Sequence, residues 1–231
     1  MNNVPDVMPF LSGGGHNDPK SGACFMEMES FLAGEKWGAD LQCAHPSLRA
    51  MAISVNDRCT DERRQELVHL LGRTINTRLE DKNENFRIAL ELCYWAFERF
   101  FELGQRARSE GSLHDATDFT LKQMQEVFNL IKESPEPPFI GNYVFPHPLV
   151  TEMFRMILSA KFDNALHIVT RTEALANATA RLVDFIGDKW RPTFLADYFA
   201  EYDELAGRTT KVISEQEMAA LAEDFSKVSQ P

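Results

Sequence analysis

The chain has 231 residues, of which 44% are hydrophobic and 26% charged, with a formal net charge of −11. This is ordinary globular composition, with apolar material for one large core or two small ones. The absence of any run of about 18 apolar residues argues against a transmembrane helix, and the acidic balance argues against nucleic acid or an anionic membrane as partner.

Met1–Leu11 has neither a basic leader nor a sustained apolar stretch, so no secretory signal is expected. Residues 1–20 hold Pro5, Pro9, Pro19 and the run Gly13-Gly14-Gly15, and they read as loop. Helical periodicity begins at Ser21, with Cys24, Phe25, Met28, Phe31 and Leu32 on one arc and Gly34 at the C-terminal cap. Pro46 suits a first helical position, followed by the stripe Leu48, Met51, Ala52 and Val55. Asn56-Asp57 ends that helix, and Thr60 caps a short one running to Leu71.

Residues 84–109 carry the strongest pattern. Phe86, Ala89, Leu90, Cys93, Phe97, Phe100 and Phe101 make one stripe, while Ile88, Leu92 and Trp95 add apolar surface around the other side, as in a central buried helix. Ser112-x-x-Asp115 resembles a capping box for a helix to about Lys132, with Phe119, Met124, Val127, Phe128 and Ile131 inward. The stretch 134–148 holds five prolines, which no helix crosses. Its aromatics Phe139, Tyr143 and Phe145 either pack on a core or meet a partner. Helices follow over about 149–161, 163–186, 192–206 and 214–228. No alternating strand pattern of any length appears. The two His-Pro pairs, His45-Pro46 and His147-Pro148, are not accompanied by any wider repeat.

The expected fold is therefore all-α, a single helical domain of about eight or nine helices with a Gly-rich N-terminal loop. Residues 1–80 form its motif-bearing part, and 81–231 a helical bundle broken by the Pro-rich loop 134–148.

Gly14-x-x-x-x-Pro19-Lys20-Ser21 nearly fits a phosphate-binding loop, but proline replaces the second glycine and removes a needed N–H. A more specific constellation is His16, Cys24, Cys43 and His45. Thiolate and imidazole are zinc-type ligands, and four close a tetrahedral shell that would pin the loop. Seven residues separate His16 from Cys24 and eighteen separate Cys24 from Cys43, which matches no common zinc module. The structural alternative makes Cys24 a small buried residue and His45 a helix-cap neighbour bonded to backbone.

Two carboxylates join this candidate site. Glu35 lies past the first helix end, where water explains it, and Glu27 sits at the edge of the apolar arc. Solvent accounts for an edge carboxylate, whereas a pairing would involve His16, Arg49 or a metal. The same residues admit a thiol enzyme with Cys24 as nucleophile and His16 or His45 as base. Cys93 reads as core and Cys59 as a polar-turn residue. Four cysteines in this length make no disulfide scaffold and fit a reducing cytoplasm.

Ser12-Gly-Gly-Gly-His16, Gly22-Ala-Cys24-Phe-Met-Glu27, Leu32-Ala-Gly-Glu35, Cys43-Ala-His45-Pro46 and Val55-Asn56-Asp57 together resemble an uncharacterised family of actinobacterial and actinophage proteins. The resemblance spans roughly residues 12–75. It implies a shared local structure and such a biological setting, but no activity and no catalytic residues.

The first functional expectation is a non-enzymatic interaction or regulatory protein, with a structural metal or polar site near the N-terminus and a protein partner or a second copy of itself. A metal- or thiol-dependent enzyme using Cys24, His16 and His45 is the alternative. A homo-oligomeric structural or phage-associated component is a third.

Overall fold

The computed structural model describes residues 11–110, 115–140, 143, 145, 147–209, 216, 220 and 223. Among these, helices are the only regular structure apart from an isolated parallel bridge between Leu11 and Ala23. Eight α-helices are described: α1 (Phe25–Leu32), α2 (Pro46–Arg58), α3 (Asp61–Arg64), α4 (Lys82–Ser109), α5 (Asp115–Glu133), α6 (Pro148–Phe162), α7 (Ile168–Ala180) and α8 (Arg191–Leu205). Short 3-10 turns extend α3 over Gln65–Leu70 and α7 over Arg181–Phe185. The all-helical expectation holds. No described helix is long and apolar enough to cross a membrane.

Helix ends follow local chemistry. Pro46 and Pro148 occupy first-turn positions where a missing N–H costs nothing. The residue before each is a histidine whose ring Nδ1 accepts a backbone N–H two residues on, from Ser47 and from Leu149. His167 caps α7 in the same way through Val169 N–H. α1 stops at Gly34, whose φ of 69° lets Glu35 N–H reach back to Ser30 O at 2.9 Å.

Two boundaries differ from expectation. α1 starts at Phe25, because Cys24 caps it while Asp18, not Ser21, caps the preceding 3-10 turn. α7 starts at Ile168 instead of 163, because Asp163–Leu166 turn on themselves through the Asp163 carboxylate and backbone. The expected capping residue Ser112 and the expected helix over 214–228 lie outside the described residues or largely so.

The chain forms two compact units, Met1–Glu80 with Ile186–Pro231, and Asp81–Phe185. In the first, α2 packs on α1 and α8, burying Phe25, Met26, Leu48, Met51, Val55, Phe194, Leu195 and Phe199. In the second, α4 packs on α5 and α7, with α6 beside α7. Phe97 of α4 is its hub, stacked on Phe128 at 4.7 Å and lying 5.7 Å from Phe154. The Pro-rich segment divides its aromatics: Phe145 is buried against Phe154, while Phe139 is 80% exposed.

Candidate functional site

The Gly-rich loop has little apolar surface, so hydrogen bonds to buried side chains must fix it. Leu11 is clamped by the amide of Gln65, which accepts Leu11 N–H at 3.0 Å and donates to Leu11 O at 2.8 Å, as a neighbouring strand would. Asn56, 1% exposed, ties two segments together. Its Nδ2 donates to Ser12 O at 3.0 Å, and its Oδ1 accepts Phe25 N–H at 3.1 Å. The next residue, Asp57, accepts Gly14 N–H at 3.0 Å. Trp37 Nε1 donates to His16 O at 3.0 Å. Arg64, itself buried, donates to Asn56 O and Cys59 O at the C-terminal end of α2, where a cation is favoured.

Glu27 is the centre of this arrangement. It is 2% exposed, so the edge carboxylate is not solvated but paired. Oε1 accepts His16 N–H at 2.5 Å, and Oε2 accepts Cys24 N–H at 2.8 Å while lying 2.8 Å from His16 Nδ1. Cys24 Sγ accepts Glu27 N–H at 3.5 Å, which completes a reciprocal capping box with sulfur in the place usually held by a hydroxyl. Burial alone would raise the Glu27 carboxyl, but the donors from Cys24 and His16 outweigh it and hold the group below its ordinary value.

The other face of His16 meets Ser12. Ser12 Oγ lies 3.1 Å from His16 Nε2, and it also accepts Ala23 N–H at 3.2 Å. With Nδ1–H donated to the Glu27 carboxylate, the neutral ring presents the Nε2 lone pair to the Ser12 O–H. Gly22 passes directly over this bond: a Cβ there would sit 2.7 Å from Ser12 Oγ and 2.8 Å from His16 Nε2. Its φ of 123° independently favours glycine.

Cys43, Glu35 and His45 belong to a second network. Glu35 accepts the N–H groups of Gln42 at 2.9 Å and Cys43 at 3.2 Å, and the first of these chiefly holds its carboxyl below the ordinary value. Cys43 Sγ accepts Asn76 N–H at 3.5 Å. His45, fully buried, donates its N–H to Thr77 Oγ1 at 2.7 Å and rests its ring 5.3 Å from that of Tyr202 on α8.

The proposed ligand quartet is thus divided, with His16 and Cys24 around Glu27, and Cys43 and His45 elsewhere. Among the described residues no group of three or more His, Cys, Asp or Glu is placed to hold a metal ion. Burial pushes the Cys24 thiol up to about 12, the reverse of what a thiolate nucleophile needs. Cys59, expected in a polar turn, is 4% exposed.

Sequence reasoning took Asn56-Asp57 only as a helix end and Ser12 only as part of the shared motif, and assigned nothing to Arg64 or Gln65. Cys24-x-x-Glu27 had the capping-box spacing and could have located Glu27 inside the fold. Comparison with protein-family models, with curated proteins and with solved structures finds no match. Among the described residues the molecule is all-helical, with a Gly-rich loop held by hydrogen bonds.

Proposed function

We propose that the chain is a cytoplasmic interaction or regulatory protein that presents the segment Gly13–Lys20 to a protein partner. This rests on one observation, an exposed loop anchored by buried and half-buried polar side chains. Gly13, Gly14, Gly15, Asn17 and Asp18 are exposed, while Glu27, Asn56 and Gln65 hold the backbone beside them. A mere connector gains nothing from such anchorage, whereas a recognition loop fixed before contact loses less entropy on binding.

The acidic balance supports a protein partner over nucleic acid, and four free thiols support a reducing compartment. The motif resemblance adds an actinobacterial or phage setting to the proposal. A thiol enzyme finds less support, because Cys24 is both buried and protonated at neutral pH. The test is a photo-crosslinking amino acid placed at exposed Asn17, with exposed Thr151 on α6 as control. Partner presentation predicts a discrete adduct from position 17 alone, and an adduct with a second copy would identify the partner as the chain itself. No adduct from position 17, or equal adducts from both positions, overturns it.

A further inference from the structure

We propose that Ser12 is a nucleophile activated by His16 and positioned by Glu27, able to accept one acyl group from an ester or thioester donor. The geometry is a continuous relay: Ser12 Oγ to His16 Nε2 at 3.1 Å, then His16 Nδ1 to Glu27 Oε2 at 2.8 Å. Hydroxyl, imidazole and carboxylate in that order are what nucleophilic catalysis by serine requires, and they are recognised by geometry and not by sequence position. Each member also has the correct surroundings. Glu27 is buried and held ionised by backbone donors, which fixes the ring and its tautomer. The His16 side chain is 13% exposed and Ser12 is half-buried, so the relay ends at the surface beside exposed Gly13–Gly15. Gly22 covers one side of the Ser12–His16 bond with backbone alone, because a Cβ there would strike both atoms.

In the reaction the Ser12 oxygen bonds to the acyl carbon and its proton passes to His16 Nε2. The bond to the leaving alcohol or thiol breaks, and that group departs with the proton from His16. Oxidation states do not change. When the ring is protonated the relay reverses, because Nε2 becomes a donor and the Ser12 O–H can turn to Ala23 O at 3.3 Å. The charged groups that govern this are Glu27 on α1, Asp57 at the end of α2 beneath Gly14, and Arg64 on α3 against Gly13. This goes beyond partner presentation, which needs the loop's shape but not the Ser12 oxygen.

The test uses the full chain and an alkyl fluorophosphonate, whose P–F bond breaks as the serine oxygen bonds to phosphorus and fluoride leaves with the proton. Adducts are located by peptide mass spectrometry. Ser109, exposed at the end of α4, is the internal control in the same molecule. Ser12 is expected to label at least ~10²-fold faster than Ser109, the scale of general-base assistance. Labelling should be lost in Ser12→Ala and reduced to the Ser109 rate in His16→Gln. In Glu27→Gln the Ser12 rate should fall, and Glu27→Asp, which restores a carboxylate, should recover part of it. Glutamine serving as well as the native carboxylate would overturn the positioning role of Glu27. Equal labelling of Ser12 and Ser109 in the wild-type chain overturns the proposal without reference to any variant.

Discussion

Glu27 holds His16 at two points, the backbone N–H at 2.5 Å and ring Nδ1 at 2.8 Å, across eleven residues of sequence. The same carboxylate closes the first turn of α1 through Cys24 N–H. One buried side chain therefore fixes both the helix start and the loop in front of it.

Removing that carboxylate leaves the N–H groups of His16 and Cys24 without their acceptor. Glu27→Ala should cost about 2–4 kcal/mol in urea unfolding, as expected when a buried, multiply bonded charge is deleted. The carboxyl is held below its ordinary value of 4.5, so its contribution is complete above that pH and is lost as pH falls through the lower folded-state value. Acid unfolding of Glu27→Gln should show a shallower slope below pH 4.5 than the wild type.

Glu29, two residues along α1, has the opposite sign. It is fully buried, accepts Gly72 N–H at 2.7 Å, and has Thr74 beside it as a weaker stabilising partner of the charged form. Burial pushes its carboxyl up to about 8 from 4.5. The folded chain then keeps a proton that the unfolded chain releases, so stability is full below 4.5 and declines as pH rises through 8. Glu29→Gln retains the acceptor for Gly72 and cannot ionise. Thermal melts between pH 6 and pH 9 should flatten in this variant, with a gain of about 2–4 °C per kcal/mol recovered. Parallel pH curves for the two proteins would refute the assignment.

Glycine substitutions separate collision from backbone strain. At Gly34 a Cβ meets nothing within 4 Å and only the φ of 69° opposes it, so Gly34→Ala should cost about 1 kcal/mol. At Gly22 the Cβ strikes Ser12 Oγ and His16 Nε2 as well, and Gly22→Ala should cost about 2–4 kcal/mol. Denaturant midpoints of the two variants compare them directly.

Asn56→Asp replaces the Nδ2 donor with an oxygen facing Ser12 O and Asp57 Oδ1. Two acceptors then oppose each other in a buried site, at a cost of about 2–3 kcal/mol. Hydrogen exchange should accelerate at Ser12, Gly14 and His16 together, while Cys93 in the other unit stays protected. Unchanged exchange in the loop would show that Asn56 does not hold it.

Thiol titration should find one accessible cysteine. Burial raises all four thiols, to about 12 for Cys24 and Cys93 and about 11 for Cys59, but Cys43 alone is not buried. With an aromatic disulfide reagent at pH 8, one equivalent from Cys43 should react promptly and the other three only on unfolding. A fast-reacting Cys24 would restore the thiol-enzyme alternative.

The sequence by itself determined the helices and most of their ends. The stripes Leu48, Met51, Ala52, Val55 and Phe97, Phe128, Ile131 are buried as their spacing requires, and Pro46 and Gly34 act at helix ends. These features were legible because they depend on neighbours three or four residues away. Glu27 read from sequence as a solvated edge carboxylate, with His16 only among the alternative partners, whereas the fold buries it against His16. What joins to what was decided only in three dimensions. Asn56 reaches Ser12 across 44 residues and Gln65 reaches Leu11 across 54, while α8 returns to pack on α2 and places Tyr202 against His45. The quartet His16, Cys24, Cys43 and His45 looked like one site because its residue types are those of one. The chain path places them in two networks, since ligand chemistry is written in composition but proximity is set by which apolar faces bury each other.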